Sequence, residues 1–340
     1  MSLPYTHLKA LSDQRGIFEH AQYRNPRIEH GYCVDDVSRA LILIERNKPL
    51  DNDVKSLRHT YFHFLRNAQS PDGRFINRCG AGGRWNGAPE TTDHWGRGLW
   101  ALGTVYKHES DYFISAEALW RFEHGARHRS EFLRSMMFAS LGAAAILDSN
   151  PDNQPAHLLL RDSARMLTKL LDNNVNKYSA WLWPEDRLTY ANAIIPEVLL
   201  LAGEHLKNSQ YVEDGLSLLR WLLEKESTST HFSVTPTSGK QVDATREIFD
   251  QQSIEIAAIV DACSTAHEIT GESEWLAYIA RGMRWFDGAN DSGVMMYDPA
   301  TGAGFDGLTA EGRNENCGAE STICYLSVLD QYQRYFGVTQ

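Results

Sequence analysis

Apolar residues recur along this chain at helical spacing, three and four positions apart, and almost nowhere in the strict alternation that marks a strand. The pattern predicts eleven helical segments, at approximately 35–46, 53–69, 93–107, 115–127, 131–148, 155–172, 192–206, 211–226, 251–269, 273–287 and 319–336. Two kinds of segment alternate. DDVSRALILI, SMMFASLGAAAIL, IIPEVLLLAG and SIEIAAIVDAC are apolar on most faces and rich in small residues, whereas NDVKSLRHTYFHFLRN, LLLRDSARMLTKLLDN and SLLRWLLEK carry one apolar stripe and one charged face. Fully apolar helices belong inside and amphipathic ones outside. An inner helix followed by an outer one, repeated about six times, predicts an all-α fold: an (α/α)6 barrel, or toroid, of about six helical hairpins, formed as a single domain over residues 1–340. A twelfth helix is either missing or replaced by the short segment from Tyr5 to Leu11.

Linker lengths add a direction. Connections from an outer helix to the next inner one are mostly long (70–92, 173–191, 227–250 and 288–318), while those from inner to outer, such as RNKPLD, LDSNPDNQ, LKNSQ and ITGES, are short. The long loops therefore gather where the inner helices begin, and long irregular loops in a compact domain usually carry function. The join before Ser130 is short, so that sector of the mouth should be open.

Composition narrows the partners. The 340 residues are 42% hydrophobic and 23% charged, with 33 basic against 44 acidic side chains and a formal net charge of −11. With no dense Lys/Arg run, nucleic acid is not expected as a partner, because that affinity comes chiefly from neutralising phosphates. The opening MSLPYTHLKALSDQRG has no apolar core of a signal peptide, and no stretch approaches the roughly 20 apolar residues that span a bilayer, so no membrane association and a cytoplasmic location are expected. The cysteines, Cys33, Cys79, Cys263, Cys317 and Cys324, lack the spacing of a zinc site and suit reduced thiols. No metal and no cofactor are implied.

The long loops are distinctive in content. DGRFINRCGAGGRWNG, YSAWLWPEDRLTY, HFSVTP and MMYDPATGAGFDG interleave aromatic rings with Arg, Asn and carboxylates among glycines. A pyranose offers a C–H face that packs on Trp or Tyr and a rim of hydroxyls that needs paired donors and acceptors, so a carbohydrate substrate suits these loops. Trp85, Trp183 and Tyr190 are candidate platforms, although large aromatics equally serve to pin loops onto a barrel.

Acids recur where the inner helices start. Asp35 and Asp36 open the first, Asp93 opens the next, Asp250 immediately precedes a later one, Glu320 sits in the first turn of the last, and Glu185 lies in a loop before another. Such positions also suit helix caps and the positive end of a helix dipole. Cleaving a glycosidic bond generally needs two carboxyl groups, one protonated and one ionised. Asp93 reads as proton donor and Asp36 or Asp250 as base, with Asp35, Glu185 and Glu320 as further catalytic candidates. His30 and His94 flank the same mouth and suit sugar hydroxyls, or proton abstraction in a sugar epimerase or isomerase. Arg74 and Arg97 suit an acidic sugar. Tyr32, Trp95, Gln251 and Asn316, close to these acids in sequence, complete the candidate binding set.

The blocks HGYCVDDVSRALIL, DHWGRGLWALG, LTYANAIIPEVLL, FDQQSIEIAAIVDAC and NCGAESTICYL resemble those of an (α/α)6-toroid family of carbohydrate-active bacterial proteins, many of them fused to or described as glycosyltransferases. The blocks cover nearly the whole chain. The resemblance implies the toroid fold, marks Asp35, Asp36, Asp93, Asp250 and Glu320 as the conspicuous acids, and suggests a separately encoded glycosyltransferase as a partner. No nucleotide-sugar-binding half accompanies the blocks, so glycosyl transfer from a nucleotide donor is not expected. More distantly, the layout is similar to six-hairpin glycosidases, unsaturated-uronyl hydrolases and sugar epimerases. The expected function is a glycoside hydrolase acting on an oligo- or polysaccharide. The alternatives are a sugar epimerase or isomerase, and a non-catalytic glycan-binding or assembly module.

Overall fold

The computed structural model describes residues 3–47, 52–175, 181–241 and 248–337. Parts of the predicted loops, at 48–51, 176–180 and 242–247, lie outside the described residues. The helices are α1 (Thr6–Ala10), α2 (Val34–Arg46), α3 (Asn52–Ala68), α4 (Asp93–His108), α5 (Tyr112–Gly125), α6 (Leu133–Ser149), α7 (Gln154–Val175), α8 (Ile194–Leu206), α9 (Ser209–Lys225), α10 (Ser253–Thr270), α11 (Glu274–Phe286) and α12 (Ala319–Phe336).

The even-numbered helices form a closed inner ring. Each packs on the next, from α2 through α4, α6, α8 and α10 to α12, and α12 packs back on α2. Outside them, α3 lies on α2, α5 on α4, α7 on α6, α9 on α8 and α11 on α10, and the five-residue α1 stands against α12 in the twelfth place. The fold is the (α/α)6 toroid that the alternation of apolar and amphipathic helices requires. No described helix is long and apolar enough to cross a membrane.

Small residues set the tightest crossing of the ring. A Cβ on Gly96 would run into the Ser135 carbonyl, one on Gly103 into the Gly142 carbonyl, and one on Gly142 into the Leu99 carbonyl, so α4 and α6 meet backbone to backbone. The stagger of the ring is equally specific. Thr265 Oγ1, well along α10, donates to Glu197 Oε1 in the first turn of α8 at 3.1 Å, so α8 is set deeper than α10, away from the loops.

Hydrophobic periodicity did not predict the short antiparallel strands among the loops. Tyr32–Cys33, Arg78–Cys79 and Trp85–Asn86 form a three-stranded patch, Arg187–Leu188 pairs with Lys240–Gln241, and Gly307–Thr309 pairs with Gly312–Asn314. Two or three residues are too few for an alternating pattern to show. These patches stiffen the loop layer over the N-terminal ends of the inner helices.

Candidate active site

Five of the six inner helices place an acid in their first turn: Asp35 and Asp36 on α2, Asp93 on α4, Glu197 on α8, Glu255 on α10 and Glu320 on α12. The sixth, α6, carries Arg134 there instead. Capping does not account for these acids. No inner helix has a side-chain cap, whereas Asp111 and Asn208 cap the outer helices α5 and α9. Apart from Asp36, which pairs within α2, the inner acids turn instead toward neighbouring elements.

Arginines rising from three consecutive inner helices organise the mouth. Arg39 of α2 reaches Asp36 Oδ1 at 2.5 Å with Nη1 and Glu320 Oε2 at 2.6 Å with Nη2, so one guanidinium holds two carboxylates from different helices. Arg97 of α4 lies 3.3 Å from Asp35 Oδ1 and rests 3.7 Å over the Phe138 ring. Arg134 of α6 pairs with Glu185 Oε2 at 2.6 Å and donates to the Tyr190 carbonyl and to Asn192 Oδ1. Tyr190 in turn donates its hydroxyl to Asp93 Oδ2 at 2.5 Å, while Ser135 donates to Asp93 Oδ1 at 2.8 Å.

Two adjoining hollows open above this lattice. One, of about 400 Å3, is walled by Glu19, His20, Asp35, Asp36, Arg39, Asp306 and Glu320; the other, of about 420 Å3, by Arg187, Tyr190, Thr235, Pro236 and Glu255. Gln252 borders both. Their sizes fall in the range of small-molecule sites, about 300–1,000 Å3.

Burial separates the acids. It pushes the Asp36 carboxyl up to about 6 against the pull of Arg39, with Glu320 adding to the rise. Burial and the nearby Glu226 push Glu255 up to about 8, although its oxygens accept from the Ala191 and Asn192 backbone N–H groups. The Cys33 thiol is raised by burial and by Asp36 and Asp35, so it stays protonated and donates to Asp36 Oδ2 at 3.2 Å. Among the described residues, Glu19, Cys33 and Asp36 are spaced to hold a metal ion. All three already have partners here: Arg78 binds Glu19, Arg39 binds Asp36, and Cys33 keeps its proton.

The structure brings Asp35, Asp36, Asp93, Glu185, Glu320, Arg97 and Tyr190 together at this end of the barrel. Several residues expected to contact substrate line neither hollow, and for Tyr32, His94, Trp95, Trp183 and Gln251 burial in internal contacts corrects the sequence reading. Tyr32 is buried, its hydroxyl on Asp13 Oδ2 at 2.7 Å. His94 is buried with Nδ1 against Thr92 Oγ1 and Nε2 against the Phe75 carbonyl, both at 2.9 Å. Trp95 is buried and donates to the Gly125 carbonyl, and Trp183 is buried and stacks on Trp221, so both are anchors. Trp85 tilts against Phe64. Gln251 is buried with its amide on Asp291 Oδ2 at 2.6 Å. Arg74 folds onto Asp72 in an exposed turn, and Asn316 accepts from the Tyr23 N–H. Asp250 is exposed in the loop layer and borders neither hollow. His30 is exposed, with Nδ1 3.0 Å from Nδ1 of His20.

Sequence reasoning missed Arg39, Arg134 and Glu255. A signal was present in each: a lone charge inside an otherwise apolar inner segment, as in VSRALILI, FLRSMMF and SIEIAAIV. Such a charge must find a partner in the ring interior.

No protein-family model matches the sequence, and no curated protein matches it. Solved structures do resemble it in shape. A sugar epimerase from a ruminal bacterium superposes with a TM-score of 0.76 at 11% identity, covering 99% of this chain and 96% of its own. A D-mannose isomerase gives 0.71 at 11% identity, covering 98% and 95%. A cellulase of C. cellulolyticum gives 0.62 at 9% identity, covering 95% and 88%. At such identities the likeness is one of fold, and the fold that all of these share with this chain is the (α/α)6 toroid.

Proposed function

We propose that the protein is a carbohydrate-active enzyme that cleaves a glycosidic bond of an oligo- or polysaccharide, with Asp36 as proton donor and Glu320 as its ionised partner. One observation carries the reading: two carboxyls in unlike surroundings are held by the two terminal nitrogens of the Arg39 guanidinium at the wall of an open, polar hollow. Asp36 is buried and raised to about 6, so it keeps a proton in mildly acidic solution, while the more exposed Glu320 faces solvent beside it. Glycoside cleavage asks for such a pair: the protonated carboxyl gives its proton to the departing oxygen, and the ionised one activates water or attacks the anomeric carbon. Asp93, which accepts from Ser135 and Tyr190 and borders neither hollow, fits a positioning role for the half-exposed Tyr190 ring, on which a sugar face can pack. The carbohydrate enzymes among the structural neighbours agree with a sugar substrate.

A second reading rests on a different observation. His20 borders the same hollow, with His30 against it and Asp306 and Glu320 in its field, and two imidazoles beside carboxylates suit proton abstraction next to a sugar carbonyl. The test is a glycan panel with products followed by NMR in deuterium oxide. Cleaved products that vanish with Asp36→Asn and Glu320→Gln support the hydrolase. Deuterium on a sugar carbon without cleavage supports an epimerase. Binding without turnover supports a glycan-binding module working beside a glycosyltransferase.

A further inference from the structure

Three of the arginines at the mouth are neutralised where they stand. Arg39 holds Asp36 and Glu320, Arg97 lies beside Asp35, and Arg134 holds Glu185. Arg187 differs from them. It walls the second hollow, of about 420 Å3, and no carboxylate among the described residues comes within ion-pair distance of it.

Its guanidinium is fixed all the same. Arg187 opens the strand that pairs with Lys240–Gln241, and Nη2 donates to the Ser238 carbonyl at 2.6 Å. Gly239, at φ +76°, brings the turn so close that an added Cβ would lie 2.6 Å from Nη2. Nε is sealed from solvent, whereas Nη1 has no hydrogen-bond partner among the described residues and stays accessible. A cation held in this way loses little freedom when it meets a ligand, and the flat fork of a guanidinium matches an oxyanion.

The rest of the wall does not cancel the charge. Glu255 is the other ionisable side chain of opposite sign, but its oxygens accept from the Ala191 and Asn192 N–H groups and from the Asn192 amide. Burial raises it to about 8, so in neutral solution it is mostly protonated. Behind the wall, Glu226 accepts from the N–H and the hydroxyl of Thr235. The first hollow is the reverse: Glu19, Asp35, Asp36, Asp306 and Glu320 face a single arginine, Arg39. Gln252, whose side-chain amide has no partner among the described residues, stands between the two. A saccharide laid across Gln252 meets an acidic hollow at one end and an unopposed guanidinium at the other.

We propose that the second hollow is a subsite for an acidic sugar residue, its carboxylate or sulfate on Arg187 Nη1 and its ring on Tyr190, so that an acidic glycan presents an uncharged residue to Asp36 and Glu320. The charge contrast fixes the direction in which the chain lies, because an anionic residue in the first hollow meets like charges. The proposal rests on the carbohydrate reading above, but on its substrate and not on its bond-breaking step.

Isothermal titration of the full chain tests it, with trigalacturonate and an alginate trisaccharide as carboxylate probes, a sulfated carrageenan disaccharide as the sulfate probe, and cellotriose and mannotriose as neutral ones. The same five are offered in a cleavage assay. At least one acidic probe should bind saturably and at least tenfold more tightly than either neutral one, and Arg187→Gln should abolish that preference while leaving neutral binding unchanged. Which acidic probe binds separates carboxylate from sulfate. Should Arg187→Gln not fold, the acidic-against-neutral comparison on the unaltered chain still decides. No saturable acidic binding, neutral probes bound as tightly as acidic ones, or a preference that survives Arg187→Gln overturns the subsite. Acidic binding without cleavage keeps the subsite and overturns the hydrolase reading alone, whereas cleavage of a neutral probe with no acidic preference does the opposite.

Discussion

Arg39 Nη2 lies 2.6 Å from Glu320 Oε2, an ion pair that ties the first inner helix to the last across the seam where the ring closes. The same guanidinium holds Asp36 within α2. The contact is thus both a closure of the fold and the centre of the charged mouth, and the first predictions concern it.

Replacing Asp36 by Asn should lower kcat/KM on the cleaved glycan by about 10²–10⁴-fold, the usual contribution of a positioned general acid. Glu320→Gln should cause a loss of similar size with the fold retained, checked by circular dichroism. Loss of activity together with loss of helicity in both variants would mean that the pair serves only to close the ring.

Activity should fall as pH rises through about 6. Asp36 must carry its proton to act as acid, and its carboxyl is pushed up to about 6 by burial, with Arg39 opposing and Glu320, Asp35 and Cys33 as the other titratable neighbours. A kcat/KM profile whose alkaline limb is unmoved when Glu320 becomes Gln would assign that limb to another group.

Stability should decline with rising pH through a window set by Glu197. Its carboxyl, raised from 4.5 to about 8 by burial and by Asp261, with Glu268 adding and Arg46 opposing, holds a proton in the folded state that the unfolded chain has released. The contribution is complete below about 4.5 and is lost as pH climbs through about 8. At about 1.4 kcal/mol per pKa unit, the effect is on the order of a few kcal/mol. Urea unfolding at pH 5, 7 and 9 should show a shallower decline for Glu197→Gln than for the unaltered chain.

Gly142→Ala should destabilise the protein by about 1–3 kcal/mol, the usual cost of overpacking. The added methyl meets the Leu99 carbonyl where α4 and α6 touch, and this outweighs the roughly 1 kcal/mol that alanine ordinarily gains over glycine in a helix. A urea midpoint that moves upward would show that the two helices can part without cost.

Tyr190→Ala should raise KM more than Tyr190→Phe, because the exposed ring supplies the face on which a sugar packs while the hydroxyl only anchors it to Asp93. Equal effects of the two variants would make the hydroxyl, and not the ring, the part that matters.

The sequence by itself determined the toroid. The alternation of all-apolar, Ala- and Gly-rich helices with one-striped ones is a property of each segment alone, and burial sorts the two kinds into inner and outer rings whatever their neighbours are. The direction of the long loops, and so the end at which acids gather, followed from linker length in the same local way. What lay beyond the sequence was the side-chain level. Whether Trp183 faces a ligand or stacks on Trp221, and whether His94 is free or held by the Phe75 carbonyl, depends on residues well outside the local helical window that only the folded chain brings close. The ion pair from Arg39 to Glu320 spans nearly the whole chain, and the hollow beside Arg187 exists only because two separate loops meet there. Periodicity is written in neighbours three and four residues apart, whereas a site is written in space.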